Sequence, residues 1–141
     1  MAIFTIEHLS DGELADAWPV VCMTHAHANS DWWLAEAAAL IERGGGILAA
    51  RAANGSVHGV ATYEVARKAM LGRVLAVDLL ITFELSRRAP ARQTLVEALE
   101  LLASAFDCRS VVLPLPSRGE VQHRTKELYG LIDFDSGTRT G

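Results

Sequence analysis

The densest cluster of chemically capable side chains in this sequence is basic. Arg87, Arg88 and Arg92 lie in the run SRRAPARQ, at the foot of a Leu-rich stretch. Cations are disfavoured at a helix start, where the macrodipole is positive, so arginines gathered there point to an anionic partner. The unpaired N–H groups of such a start attract anions as well. The plainer alternative is a solvated turn. Carboxylates form a second group: Asp78 and Glu84 fall on or just past one apolar stretch, and Glu64 falls on its neighbour. A carboxylate in an apolar run has a raised pKa if it is buried. Asp78 is flanked by Val77, Leu79 and Leu80. It is either a buried carboxyl of special character or an outward-facing strand position, and the second is the ordinary case.

Other candidates carry less. His25 and His27 are two residues apart, and on a helix such residues point in different directions. They have no acidic or Cys neighbour in sequence, so surface histidines are expected rather than a metal pair. Cys22 and Cys108 have no Cys or His at ligand spacing and are expected as buried thiols. No metal site is expected. Of the adjacent Trp32 and Trp33, one should pack in the core and the other stay partly exposed.

These side chains need a framework, and the composition supplies one. The chain has 141 residues, 50% hydrophobic and 21% charged. That suits a single domain spanning 1–141 and excludes a disordered chain. No apolar run approaches the roughly 18 residues of a membrane span. Met1 to Phe4 lack the basic region of a signal peptide, so a cytoplasmic protein without membrane contact is expected. A net charge of −4 argues against a general nucleic-acid binder.

Periodicity sets the elements. Residues 2–9 alternate as a strand, and Ser10 to Glu13 look like a helix start for 11–28, with Pro19 kinking that stretch or starting a second helix. Asn29 to Asp31 form a capping cluster before a helix with Trp33, Ala37, Leu40 and Ile41 on one face, ended by Gly44 to Gly46. The glycine run lacks the Lys-Ser/Thr ending of a phosphate loop and leads into a strand. Strands at 46–53, 57–66 and 73–83 follow, the first two joined by Asn54-Gly55, as an antiparallel meander. Residues 91–106 form the clearest helix, with Leu95, Leu99, Leu102 and Phe106 on one side. A strand at 109–115, a helix at about 117–129 and a tail that could hold one more strand complete the order. Helices beside a largely antiparallel sheet define an α+β fold.

This order resembles the GNAT superfamily of N-acetyltransferases, and local residues add to the resemblance. The run LLITFELSRRAPARQTLVEAL at 79–99 is similar to the family's strand, Arg/Gln-x-x-Gly-x-Gly/Ala loop and following helix. Arg87 takes the first motif position, while Pro90 and Arg92 stand at the two glycine positions. HGVATYEV at 58–65 resembles the family's Gly-containing third strand. Leu128-Tyr129 with Phe134 resembles its Leu-Tyr-x-x-x-Gly-Phe, with Asp133 in place of the glycine and Gln122 where Asn is common.

The resemblance implies a GNAT-like α+β fold and an acyl-CoA-dependent N-acyltransferase, using acetyl-CoA, in which an amine attacks the thioester directly. The cofactor would lie along strand 73–83, past Leu80 and Thr82, with its pyrophosphate over Arg87, Arg88, Ala89, Pro90, Ala91, Arg92 and Gln93. Pro90 removes one N–H donor, and the arginines would compensate with charge-assisted bonds. Tyr129 would be the acid, Asp78 or Glu84 the base, and the Trp32-Trp33 region would border the acceptor amine. The alternative is a GNAT-like binding or oligomerisation domain without catalysis, favoured by the missing glycines, Asp133 and the seven residues after Phe134. A homodimer paired through an exposed strand edge would suit either. A different α+β domain is the remaining alternative.

Overall fold

Alternating apolar residues in the meander send side chains to both faces of one sheet, and a helical layer covers each face. The computed structural model describes residues 4–114 and 132–133. In chain order these form β1 (Thr5–His8), a 3-10 helix (Asp11–Ala17), α1 (Trp18–Val21), α2 (Ser30–Glu42), β2 (Gly46–Arg51), β3 (Val57–Lys68), β4 (Gly72–Thr82), α3 (Pro90–Ala105), β5 (Ser110–Val112) and β6 (Ile132–Asp133). The strands lie side by side in sequence order, β1 to β6. Every neighbouring pair is antiparallel except β4 with β5. That pair is parallel because α3 serves as its crossover.

Ile47, Ala49, Val60 and Ile81 pack under Trp33, Ala37 and Leu40 of α2. The intervening residues Leu48, Ala50 and Ala61 join Leu75 and Val111 against Leu95 and Leu99 of α3. The two faces thus carry separate cores. Asn29 caps α2 by accepting the Trp32 N–H at 2.9 Å. Trp33 is 1% exposed, and its indole N–H donates to the Leu14 carbonyl at 2.7 Å. Trp32 is half-buried, so the adjacent pair divides as its helical phase requires. Cys22 and Cys108 are free thiols, Cys22 half-buried and Cys108 buried.

Several local expectations are corrected. The helical stretch expected over 11–28 starts at a Ser10–Glu13 capping box and breaks into a second helix at Pro19, as one of the two alternatives had it. It is, however, a 3-10 helix followed by the single turn of α1, and it ends at Val21. Proline fits the first turn because its missing N–H has no partner there. The Asn54-Gly55 turn is present, with Gly55 at φ 91°, but the strands stop at Arg51 and resume at Val57 across a longer loop. Phe106 caps α3 and is 37% exposed, while Ala91 and Ala103 complete the buried stripe. The glycine run does more than stop α2. A Cβ on Gly45 would stand 2.5 Å from the Tyr63 carbonyl oxygen and 2.6 Å from Leu40 Cδ1. The expected tail strand contains β6, whereas the helix at about 117–129, Gln122, Tyr129 and Phe134 lie outside the described residues.

Candidate functional site

The site begins with an irregularity in β4. Thr62 of β3 faces Leu79 and Tyr63 faces Val77, so Asp78 is an extra residue with no partner across the ladder. Such a bulge bends its strand and re-aims the side chain it carries. The Thr62 hydroxyl, in a buried residue, accepts the Leu79 N–H at 3.0 Å and holds the bulge in place. On its other edge β4 pairs with β5 only as far as Ala76 and Val112. From Val77 to Thr82 that edge faces no strand among the described residues.

A cleft of about 490 Å³ opens where the two strands part, walled by α2, β3, β4 and the chain after β5. Three carboxylates line it: Glu36, Glu64 and Asp78. Glu64 is paired with Arg43, at 3.4 Å to each oxygen. Asp78 and Glu36 are exposed and make no ion pair or hydrogen bond among the described residues. The His25 ring stacks on Trp32 with centroids 5.2 Å apart, and both line the cleft. Among the described residues no group of three or more His, Cys, Asp or Glu side chains could hold a metal. No helix there is long and apolar enough to cross a membrane.

Beyond β4 the chain turns into α3, and the carboxylate there has a different environment. Ala89, the residue before α3, is left-handed at φ 48° and ψ 57°. Pro90, first in the helix, has no N–H to offer. The next two amides donate to Glu84: Ala91 N to Oε1 at 3.1 Å and Arg92 N to Oε2 at 2.8 Å. Gln93 N already bonds the Ala89 carbonyl at 3.0 Å. Arg87 and Arg88 are exposed, and Arg92 is half-buried. Burial pushes the Arg92 guanidinium below its ordinary pKa, and the negative charge of Glu84 works against that shift. A depression of about 390 Å³ runs along α3 past Arg88, Arg92, Gln93 and Val96.

The structure therefore separates the expected site residues. Asp78 lies in the cleft, on an outward-facing position. Glu84 does not line it, because the α3 amides hold both of its oxygens. Leu80 is half-buried against the α3 core, and Thr82 is half-buried at the end of β4. Ala89 to Arg92 form the helix start as expected, with Arg87 and Arg88 in the turn before it. Tyr129 lies outside the described residues. Sequence reasoning missed Glu36, three positions beyond Trp33 on α2, and the cleft position of His25. It also missed Glu84 as the cap of α3. The available signal was negative: Ala89-Pro90 offers neither a capping side chain nor an N–H, so the cap must come from elsewhere.

Neither a protein-family model nor a curated protein matches the sequence. Solved structures do match. The aminoglycoside antibiotic 6'-N-acetyltransferase of Acinetobacter baumannii is 18% identical, with 86% of each chain covered and a TM-score of 0.72. The ribosomal-protein-alanine N-acetyltransferase of Brucella melitensis biovar Abortus is 20% identical, over 82% of this chain and 83% of that one, with a TM-score of 0.67. An aminoglycoside N-acetyltransferase solved in complex with CoA is 14% identical, over 83% and 80% of the two chains, at a TM-score of 0.71. At these identities the likeness speaks for the course of the backbone. The chain has the α+β fold of the GNAT N-acetyltransferases.

Proposed function

We propose that the protein is an acyl-CoA-dependent N-acyltransferase. The observation that carries this function is the parting of β4 from β5 beside Asp78, whose carboxylate has no partner among the described residues. A bare strand edge offers amides and carbonyls to an extended arm that itself contains amides. The β4 edge from Val77 to Thr82, including Leu80 and Thr82, would hold that arm. Arg87, Arg88 and Arg92 would meet the phosphates, beside Ala89, Pro90, Ala91 and Gln93. The fit is good along the strand and incomplete at the helix, where Glu84 has taken the amides. When bound, the cofactor supplies an acyl group as a thioester, acetyl being the simplest.

The acceptor is an amine that enters the cleft as an ammonium ion. Glu36 and Asp78 attract it there, while Glu64 is largely neutralised by Arg43. Asp78 is the group that takes the proton, since it stands on the bulge and has no competing partner among the described residues. Deprotonation frees the nitrogen lone pair for attack. Trp32 and the stacked His25 form a flat wall against which the acceptor can rest. Tyr129 remains the acid implied by the resemblance, in which role it would protonate the departing thiolate.

Calorimetric titration with acetyl-CoA and CoA tests the cofactor, and release of free thiol with a panel of amines tests the reaction. Saturable heat and amine-dependent thiol release are expected. A second function is favoured by one observation: Glu84 satisfies the helix start without any ligand. A GNAT-fold binding domain without catalysis would behave so. No heat at millimolar CoA, from the unaltered chain and from Glu84→Gln alike, would establish it in place of the enzyme.

A further inference from the structure

The start of α3 has no amide left to give. An α-helix begins with N–H groups that lack a partner within the helix, and these are what make its N-terminus an anion seat. Here Pro90 has none, Ala91 and Arg92 are committed to the two oxygens of Glu84, and Gln93 is bonded to Ala89. The Ala89 N–H bonds the Ser86 carbonyl at 3.2 Å, and the Arg88 N–H bonds the Ser86 hydroxyl at 3.3 Å. Every backbone donor from Arg88 to Gln93 is thus accounted for within the chain.

We propose that Glu84 is a built-in competitor for the phosphates of the cofactor. Its carboxylate occupies, on a tether, the place an incoming pyrophosphate would take. This inference deepens the function proposed above and rests on it. Two anions cannot share two amides, and their mutual repulsion opposes any shared occupancy. Binding through the helix start therefore requires Glu84 to swing away, and the affinity of the chain for acyl-CoA is reduced by the population of the closed arrangement. The surrounding side chains suit such an exchange. Glu84 is only half-buried, so solvent can receive it, and the half-buried Arg92 beside it feels its charge. Once the carboxylate leaves, phosphate takes over both the amides and the neighbouring positive charge. Glu84 is then a determinant of cofactor affinity rather than a base.

The test is CoA binding to the full chain, measured by calorimetry for the unaltered protein, Glu84→Gln and Glu84→Ala. Glutamine keeps an acceptor oxygen for one amide but loses the charge, while alanine empties the seat. Both variants are expected to bind CoA at least tenfold more tightly, with folding checked by circular dichroism. A merely structural cap would give the opposite sign, because loosening the helix start weakens its ligand. Equal or weaker binding in the variants, with CoA still bound by the unaltered chain, overturns the competitor and leaves the proposed function standing. Absence of binding in all three proteins overturns both.

Discussion

Asp78 and Glu84 stand six residues apart on one stretch of chain, and the fold treats their carboxylates in opposite ways. Asp78 projects from a bulge into an open cleft and meets no cation or donor among the described residues. Glu84 has each oxygen on a separate amide of α3. The difference lies in what surrounds each group. A bulge removes a residue from the ladder and frees its side chain, whereas an uncapped helix start demands an acceptor and captures the nearest one. A free carboxylate at a cleft can exchange protons. One that is already satisfied holds structure together and must be displaced before anything else can use its donors. Sequence alone made the two look alike, since both were acids near the end of one apolar strand.

The strongest way to break this comparison is Asp78→Asn. As the base, it should cost about 10²–10⁴-fold in turnover, measured by thiol release at saturating cofactor and amine. Its effect on stability should stay within about 0.5 kcal/mol, since the residue is exposed and has no partner among the described residues. Full activity in Asp78→Asn would remove the distinction between the two acids.

Gly45→Ala tests the wall rather than the acid. The new Cβ meets the Tyr63 carbonyl and the Leu40 side chain, both of which line the cleft, and backbone cannot move aside cheaply. Overpacking of this kind costs about 1–3 kcal/mol, and the urea midpoint should fall accordingly. Because the clash lies at the joint of α2 and β3, CoA affinity at α3 should change little. A loss of CoA binding larger than the loss of stability would show that the two ends are coupled.

Much of this arrangement was legible in the sequence, for identifiable reasons. The meander, α2 and α3 were readable because Asn54-Gly55, the Asn29 cap and the Leu95–Leu99 spacing are local signals. The helix start at Ser10 and a second helix at Pro19 were also legible. The continuation of helix to Ala28 was misread because residues 22–28 fit a helix in composition. The actual path of the stretch is fixed by tertiary contacts, such as the Trp33 indole on the Leu14 carbonyl. The bulge at Asp78 left no mark, since it depends on a hydroxyl in the neighbouring strand. The arginines at the start of α3 looked electrostatically misplaced. Glu84 supplies the missing negative charge, seven and eight residues before the amides it accepts, a span no capping pattern covers.

Thr62→Val sharpens the comparison from the cleft side. Valine keeps the shape but leaves the Leu79 N–H without its acceptor, and an unsatisfied buried donor costs about 1–3 kcal/mol. Leu79 is only half-buried, so the lower end of that range is expected. Turnover should fall more than stability implies, because the hydroxyl sets the bulge that aims Asp78. Equal losses would reduce Thr62 to an ordinary strand residue.

The smallest expected effect falls on Arg88→Ala, and its salt dependence is more informative than its size. Arg88 is exposed, so its guanidinium is well solvated and screened. A single contact of that kind changes affinity roughly two- to fivefold. While Glu84 closes the amides, the exposed arginines are the first positive groups that phosphate meets. CoA affinity of the unaltered chain should therefore depend steeply on salt, and Arg88→Ala should flatten that dependence. In Glu84→Gln the amides carry more of the binding, at short range and partly shielded from solvent. The same Arg88→Ala change made in that background should then matter less. An undiminished effect there would mean that phosphate reaches the arginines without ever using the helix start.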